Sequence, residues 1–573
     1  MARFIPFALA GSLLLLPLSA RAQWALNGNP VSTVANSENF ASAVPDGSGG
    51  AFILWEDYRT GSPSDIYLQR IDVNGVPQWA ANGVAVCTAA FNQKYPVMIA
   101  DGSGGVIVAW DDDRLSAANK DIYAQRVNGS GVVQWTPNGV ALCTAANHQQ
   151  YPHIVSDEAG GAIVSWNDDR SAVNTYHVYA QRVNAVGAPQ WTANGVAVQT
   201  STMGGDQVLI PDGAGGALLA FMGGTGDVSA QRLNASGVAQ WTANGVALCV
   251  AANAQAYVQL VTDGAGGAIV GWSDARTGTI DIYARRVTAA GVPQWTANGV
   301  ALCTAANDQF LTAITSNSAG GAILAWEDRR NGSTATYTDI YAQQVTSSGA
   351  AAWSANGVVV CNAGSDQIFP SMVSDGAGGA IIAWPDLRTS PPGMLTSSDI
   401  YAQRVSNTGS VLWTANGVIV CQTGNPVLQT VISNGMGGAF VAWKDSRNPT
   451  AFDIYAQRIE SRYGAWGRPE GWITSVNDVP GDQGGHVMVR WNASERDVFP
   501  TQEISHYTLW RELGPAAIVS LAGSATSDAQ WVDPSTIGRD FAGKAYRNSI
   551  TAAGSTSWEF IATIPTRYAT EYG

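Results

Sequence analysis

Eight tandem repeats of about 55 residues run from Trp24 to about position 462, and two tryptophan columns mark their period. One column has the pattern W-x-x-N-G and comprises Trp24, Trp79, Trp135, Trp191, Trp241, Trp295, Trp353 and Trp413. The other has the pattern W-x-D-x-R and comprises Trp55, Trp110, Trp166, Trp272, Trp326, Trp384 and Trp443, with Phe221 in its place in the fourth repeat. Such a period predicts a repeat architecture, in which a residue that recurs in every unit usually builds the unit.

Each repeat reads as four short strands. In the repeat that ends at Cys143, apolar or alternating segments at 95–100, 106–110, 121–127 and 140–143 are separated by turn residues, and none has helical periodicity. A small antiparallel sheet of this kind leaves both faces unburied when alone, but buries them when copies pack around an axis. The sequence therefore predicts an all-β chain whose repeats at 23–462 form an eight-bladed β-propeller.

The two ends of the repeat region predict how the ring closes. The region begins with a fourth-strand motif at Trp24, and it ends after Asp453–Ile459, where no W-x-x-N-G follows. Pairing the spare N-terminal strand with the incomplete last blade would remove an open edge. An open solenoid of the same units is the alternative, although it would need atypical caps at both ends.

Composition and charge narrow the functional classes. Charged residues are only 13% of the 573 residues, the formal net charge is −14, and 63 residues are glycine. This composition is typical of a β-rich protein with many turns, and it argues against nucleic-acid binding and against docking on anionic lipid. Residues 1–22, with Arg3, an apolar run and Ala20-Arg21-Ala22, predict a secretory signal peptide cleaved before Gln23, with no other membrane insertion.

All six cysteines occupy one column, eight residues after the W-x-x-N-G tryptophan. They are Cys87, Cys143, Cys249, Cys303, Cys361 and Cys421. Equivalent positions in neighbouring repeats should be farther apart than the roughly 7 Å between Cα atoms that a disulfide allows. We therefore expect six buried, unpaired thiols, and no metal bound by this column.

The W-x-D-x-R carboxylates have two interpretations. They are Asp57, Asp112, Asp168, Asp274, Asp328, Asp386 and Asp445. They could form repeated ligand sites or a ring around a channel, or they could pair with the arginine of the same motif or with that of D-I-Y-A-Q-R. The balanced charges favour structural ion pairs, because buried charges need partners.

Other motifs give weaker indications. The D-G-x-G-G segments predict hairpin turns rather than calcium loops, since each offers one acidic side chain. Asp111-Asp112-Asp113 keeps a minor metal hypothesis open. The sequence has no H-E-x-x-H, G-x-S-x-G or P-loop motif, so no catalytic, cofactor or metal residue is assigned.

The fourth repeat, with Phe221 and Asp227 around a shortened loop, has either drifted or opens a groove. A ligand face, if present, is expected on the loops between second and third strands, longest at 329–339 and 388–399.

The repeats stop at about position 462, and a Gly/Pro-containing linker is predicted at 463–471. Residues 472–573 resemble a fibronectin type III domain, with Trp491 on its second strand and I-x-x-Y-x-L-x-R from Ile504 to Arg511. The family's late tyrosine-bearing strand is missing, so a truncated β-sandwich is expected. With the signal peptide and the repeats, the chain resembles secreted multidomain bacterial surface proteins.

These observations predict an extracellular or cell-surface protein. The main expectation is a non-catalytic binding or adhesion protein that presents propeller loops to a glycan or a protein partner. The alternatives are a secreted carbohydrate-active enzyme with an acid pair at one mouth of the ring, or a purely structural surface protein. Near-identical repeats favour the first over an enzyme, because a catalytic site needs asymmetry.

Overall fold

The structure is a computed structural model that describes residues 24–461, apart from 117–118, 201–205, 224–225, 332–336 and 391–397, together with Gly464 and six C-terminal strands. The described residues contain β-strands and no helix. None of their segments is a helix long and apolar enough to cross a membrane. The predicted signal peptide and most of the predicted linker lie outside the described residues. The chain divides into two compact units, Met1–Arg468 and Pro469–Gly573.

The first unit is an eight-bladed β-propeller, since its described residues form eight four-stranded antiparallel sheets. The first strands of blades 1 to 8 are β2 Glu38–Pro45, β6 Gln93–Ala100, β10 Gln149–Ser156, β14 Gln207–Pro211, β18 Gln255–Thr262, β22 Gln309–Ser316, β26 Ser371–Ser374 and β30 Val427–Ser433. The second strands are β3 Ala51–Asp57, β7 Val106–Ser116, β11 Ala162–Asp168, β15 Ala217–Met222, β19 Ala268–Asp274, β23 Ala322–Asp328, β27 Ala380–Asp386 and β31 Ala439–Asp445.

The outer half of each blade follows the same order. The third strands are β4 Asp65–Ile71, β8 Asn119–Val127, β12 His177–Val183, β16 Val228–Leu233, β20 Asp281–Val287, β24 Asp339–Val345, β28 Asp399–Val405 and β32 Asp453–Ile459. The fourth strands of blades 1 to 7 are β5 Val84–Cys87, β9 Val140–Cys143, β13 Val196–Gln199, β17 Val246–Cys249, β21 Val300–Cys303, β25 Val358–Cys361 and β29 Val418–Cys421. In blade 8 this place is taken by β1 Asn29–Ser32.

The ring closes as the sequence predicts. β1 pairs antiparallel with β32, with Asn29 opposite Ala456. Each first strand contacts the first strands of both neighbouring blades, including β30 with β2. The open-solenoid alternative is therefore wrong.

The W-x-x-N-G motif joins neighbouring blades. Its tryptophan Nε1 donates to a turn carbonyl of the next blade, as Trp79 does to Gly129 O at 3.1 Å. Its asparagine, at positive φ, accepts on Oδ1 from the backbone N–H that follows the fourth strand of the preceding blade, as Asn138 does from Thr88 at 3.0 Å. Both contacts recur in all eight blades. Gly139 completes the motif, because a Cβ there would lie 2.6 Å from the Trp110 ring.

The core lies between blades. The W-x-D-x-R tryptophans are fully buried, and each packs with the apolar residues of the second and third strands. The six cysteines are buried and unpaired, as expected, with an arginine Nη2 about 3.2 Å from the sulfur in most blades, for example Arg114 and Cys87. Desolvation raises the pKa of Cys87 to about 12, so the thiol stays neutral.

The second unit contains two three-stranded sheets. One has the order β33 Trp472–Asp478, β34 Val487–Asn492, β38 Glu571–Tyr572, and the other has β35 His506–Glu512, β37 Gly554–Pro565, β36 Tyr546–Thr551. Many residues between these strands lie outside the described part, so the fibronectin type III resemblance and the domain boundaries stay predictions.

Candidate active site at one mouth of the propeller

The W-x-D-x-R aspartates are structural. Asp57 Oδ2 accepts from Trp55 Nε1 at 2.8 Å, and its two oxygens bind Arg59 Nε and Nη2 at 2.8 and 2.7 Å. The guanidinium also lies 3.5 Å from the ring centroid of Tyr67. Seven described blades repeat this ion pair. Because these carboxylates already hold several hydrogen bonds, they do not form a ring of ligand sites.

The D-G-x-G-G segments are hairpin turns. Asp46 Oδ1 accepts from the N–H groups of Ser48 and Gly50, both at 2.7 Å, and its Oδ2 pairs with Arg70 of D-I-Y-L-Q-R at 2.9 Å. The arginine on the third strand therefore binds this turn. The alternative pairing with the W-x-D-x-R aspartate is wrong.

Asp111, Asp112 and Asp113 point to separate partners. Asp111 pairs with Lys120, Asp112 with Arg114, and Asp113 accepts from the Asn92 amide at 3.2 Å. Within the described part of the chain, no group of three or more His, Cys, Asp or Glu side chains could hold a metal ion. The triple aspartate therefore gives no support to the metal hypothesis.

The blades differ at one mouth of the channel, where the first strands begin and the second strands end. One position near the start of the first strand is aromatic in five blades, with Phe40 in blade 1. The side chains that the structure describes at this position are those of Tyr95, Tyr151, Tyr257 and Phe369, in blades 2, 3, 5 and 7. All four have positive φ, between 47° and 55°, a conformation that bulky residues rarely adopt. Tyr151, Tyr257 and Phe369 are 42%, 50% and 70% exposed. Backbone strain of this kind collects at functional sites.

Acidic side chains of the preceding blade brace this column. Glu56 Oε1 accepts from the Tyr95 N–H at 2.7 Å, and Glu327 Oε1 accepts from the Phe369 N–H at 2.7 Å. Both glutamates sit between the tryptophan and aspartate of W-x-D-x-R and are buried. Desolvation raises the pKa of each, opposed by these amide hydrogen bonds. Their role is to hold the aromatic residues in place.

Asp111 occupies the same position as those glutamates but is bonded differently. Its Oδ2 accepts from Lys120 Nζ at 3.0 Å, and among the described residues its buried Oδ1 has no hydrogen-bond partner. Lys120 Nζ lies 5.3 Å from the ring centroid of Tyr95 and 5.9 Å from that of Tyr151. The two rings are 4.9 Å apart. A cation held by a buried carboxylate thus lies against two phenol rings at the mouth.

The electrostatics of this pair suit proton chemistry near neutral pH. Desolvation raises the pKa of Asp111 to about 7, opposed by the charge and hydrogen bond of Lys120 and reinforced by Asp113 and Glu56. Burial lowers the pKa of Lys120, but the charge and hydrogen bond of Asp111 together with Asp113 and Tyr95 raise it above its ordinary value. Lys120 therefore stays protonated, whereas the carboxyl of Asp111 loses its proton near pH 7. Its side chain is 22% exposed and that of Asp111 only 1%, so Lys120 is the group that a ligand can reach.

Blade 4 breaks the aromatic column. Asp206, which is exposed, stands just before the shortened first strand β14, and its Oδ2 accepts from the Tyr257 N–H at 3.2 Å. On the neighbouring strand β10, His153 follows Tyr151 by two residues. Desolvation lowers the pKa of His153 to about 4, against the opposing charge of Asp206, so its imidazole is neutral at neutral pH.

Sequence reasoning assigned none of these residues to a catalytic or sugar-binding site, and it named Asp111 only in the metal hypothesis. The available signal was an aromatic residue two positions after a glutamine, at Tyr95, Tyr151, Tyr257 and Phe369, and in three of these four cases a proline follows it. The mouth does carry the loops between second and third strands, where a ligand face was expected, and Lys120 belongs to the hairpin of blade 2. Parts of the two longest of those loops, 332–336 and 391–397, lie outside the described residues.

No family model and no curated protein matches this sequence. Solved structures match its fold. A polysaccharide lyase of family PL25, an ulvan lyase bound to -[GlcA(1-4)Rha3S]-, has 10% identity and a TM-score of 0.43 over 77% of this chain and 96% of its own. A thermostable family-43 glycoside hydrolase has 10% identity and a TM-score of 0.27 over 46% and 92%. An endo-arabinase from Bacteroides thetaiotaomicron VPI-5482 has 12% identity and a TM-score of 0.27 over 56% and 96%. At these values the likeness concerns the fold alone.

The expectation of a non-catalytic binding or adhesion protein is wrong. The named structures that share its propeller fold are carbohydrate-active enzymes by their descriptions, so the fold itself gives no preference for a non-catalytic protein. The physical reason for the error lies in the repeats. Residues that recur in every blade build the fold, but the mouth column differs from blade to blade, so the near-identity of the repeats does not exclude an asymmetric site.

Proposed function

We propose that this protein is a secreted carbohydrate-active enzyme that cleaves a glycosidic bond at the mouth lined by the aromatic column. The observation that carries the proposal is the Lys120–Asp111 pair against the rings of Tyr95 and Tyr151. It joins an apolar stacking surface, a reachable cation and a buried carboxyl, one oxygen of which accepts no hydrogen bond from the described residues.

The two tyrosines supply sugar recognition. The faces of a sugar ring carry C–H groups that pack on an aromatic ring, while its hydroxyls need donors and acceptors at the rim. The tilted Tyr95–Tyr151 pair offers both, with two ring faces and two phenol oxygens. Bracing of the Tyr95 amide by Glu56 fixes the platform before a ligand arrives.

Lys120 supplies the catalytic charge. A glycosidic bond breaks either as water adds at the anomeric carbon or as a ring proton is lost and a C=C bond forms. In both cases negative charge builds on the leaving oxygen, which ends as a hydroxyl, and an ammonium fixed beside that oxygen stabilises the charge. Asp111 is a positioning residue, because it holds Nζ at 3.0 Å and is itself too buried to touch a sugar. Ionisation of Asp111 near pH 7 changes the charge beside Lys120 and hence its donor strength.

The test is a screen of the full chain against neutral, acidic and amino polysaccharides, with release of reducing ends as the readout. We expect cleavage of at least one class, and a loss of kcat of about 100-fold in Lys120→Ala. Lys94→Ala, which removes a lysine of the same blade that does not hold Asp111, is the matched control and should retain activity within about threefold. Ultraviolet absorbance of the products distinguishes elimination, which creates a conjugated double bond, from hydrolysis. No cleavage of any class, or equal losses in the two lysine variants, would contradict the proposal.

Secretion and the C-terminal module complete the proposal. The signal-like residues 1–22 support export, and the fibronectin type III-like sequence at 472–573 supports a spacer or accessory domain. N-terminal sequencing of the exported protein should begin at Gln23. A retained Met1 would contradict cleavage at the predicted site.

A further inference from the structure

A second aromatic patch lies on the same mouth, away from Lys120. The rings of Tyr257 and Phe310 meet edge to face at 6.1 Å, and the Arg329 guanidinium lies 4.8 Å from the Phe310 centroid. Phe369, in the next blade, exposes 70% of its surface and is held by Glu327 through its amide. This distal patch has the composition of the Lys120 patch, with aromatic faces beside a cation.

The strained backbone links the two patches. Tyr257 and Phe369 have φ of 53° and 47°, close to the values of Tyr95 and Tyr151. Leu311 and Leu428 occupy the same column in blades 6 and 8 and are not among the positive-φ residues. Among the described residues of this column, the conformation thus goes with an aromatic side chain, as expected if these rings are presented to a ligand rather than used for packing.

Blade 4 separates the patches. It carries Asp206 where its neighbours carry a ring, and its first strand has five residues whereas those of blades 3 and 5 have eight. Sheets that pack face to face are about 10 Å apart, so rings in blades 2 and 3 and rings in blades 5 and 6 are too distant for one monosaccharide to touch both.

We infer that the substrate is a polysaccharide chain that occupies both patches, so that the enzyme cleaves internal bonds. The inference rests on the proposed function and adds the distal patch as a binding subsite. The exposed carboxylate of Asp206 lies along the path, where it can accept hydrogen bonds from sugar hydroxyls. A chain that runs from the distal patch across Tyr151 and on to Tyr95 places one of its internal bonds beside the ammonium.

The test uses Tyr257→Asn and Phe369→Asn in the full chain, because asparagine tolerates positive φ and removes only the ring. On the long polymer we expect kcat/KM to fall about tenfold for each variant. On the shortest oligosaccharide that is cleaved, it should stay within about twofold. Tyr151→Asn should lower both, since its ring adjoins Lys120. Leu428→Asn, a substitution at the equivalent position in blade 8, is the matched control and should change neither.

Product length gives the second readout. Wild-type enzyme should lower the viscosity and the mean chain length of the polymer early, before small products accumulate. Release of only short products from an otherwise intact polymer would overturn the inference while leaving the proposed function in place. If no polysaccharide is cleaved, the proposed function fails. Calorimetry with long and short chains then tests the distal subsite. If Tyr257→Asn loses affinity for long chains only, the subsite is supported. If wild type and variant bind long chains with equal affinity, the subsite is overturned.

Discussion

The side-chain Oδ1 of Asn27 accepts a hydrogen bond from the backbone N–H of Gln422 at 2.9 Å, across 395 positions of sequence. Each other blade-to-blade junction has the same contact, but there the asparagine precedes a fourth strand that follows the third strand of its own blade in sequence. Asn27 belongs to the segment that completes blade 8 without a covalent link to it. Its backbone carbonyl also accepts from Arg447 Nη2 at 2.9 Å, so the residue binds blade 7 through its side chain and blade 8 through its backbone.

Replacement of Asn27 should loosen this junction more than any equivalent replacement. Asn27→Ala removes one hydrogen bond. It also places alanine at φ 66°, a conformation that asparagine tolerates because its side chain can hydrogen-bond the nearby backbone. Together the two effects should lower the free energy of unfolding by about 1–3 kcal/mol. Asn138→Ala is the control within the covalent run of blades. Thermal unfolding and limited proteolysis measure the effect. Selective cleavage near β1 is expected in the first variant, and equal proteolysis of both would contradict a special role for the closure.

Stability should fall as pH rises from about 5 to 8 because of Glu38. Desolvation raises the pKa of Glu38 from 4.5 to about 8, opposed by the Ser32 hydroxyl that donates to it and reinforced by Asp57 and Asp453. A carboxyl with a raised folded-state pKa stabilises fully below pH 4.5, and that contribution is lost as pH rises through 8. The shift corresponds to at most about 5 kcal/mol.

The variant Glu38→Gln tests this dependence, since most other blades have glutamine at this position, such as Gln93 and Gln149. Its melting temperature should change less between pH 5 and 9 than that of the wild type. The variant should also be the more stable of the two at pH 9. Parallel curves for the two proteins would assign the dependence to other carboxyls.

Activity should depend on a group that titrates near pH 7. Asp111, with its pKa raised to about 7 by burial, changes charge beside Lys120 in that range. Asp111→Asn keeps the shape and removes the ionisation, so the limb of the kcat profile near pH 7 should disappear while KM changes little. A purely structural role would lower kcat at every pH and keep the limb.

The six thiols should resist alkylation in the folded protein. They are buried, and desolvation holds the pKa of Cys143 and Cys303 at about 12. Iodoacetamide at pH 8 should label none of the described cysteines before unfolding and all six in urea, as counted by mass spectrometry. Disulfide-linked peptides in the non-reduced protein would contradict the assignment.

The sequence predicted the blades because the same strand, turn and core residues recur in every blade. The strands expected at 95–100 and 140–143 became β6 Gln93–Ala100 and β9 Val140–Cys143. The second strand runs farther than expected, to Ser116, because it continues into the hairpin that carries Lys120. The turn aspartates, the Asp–Arg pairs and the unpaired thiols followed from one recurrent pattern.

The candidate site escaped prediction for the opposite reason. Tyr151 and Asp111 are informative where they differ from their equivalents in other blades, and a consensus over repeats hides such differences. Their proximity also depends on how far neighbouring blades are rotated, which the sequence does not specify. Only the structure shows that Glu56 holds a backbone amide from this position, whereas Asp111 holds Lys120 from the equivalent one.

Pairing of β1 with β32 imposes an order on biogenesis. The first segment of the propeller to be synthesised is completed by the last, since Asn29 lies opposite Ala456. Seven blades draw all four strands from contiguous sequence and can form as they emerge. Blade 8 cannot, so an unpaired strand edge persists at each end until the whole repeat region is available. Closure is therefore a late folding event, because it brings together two strands that are far apart in sequence. A chain interrupted before blade 8 would keep both strand edges open to association with other chains.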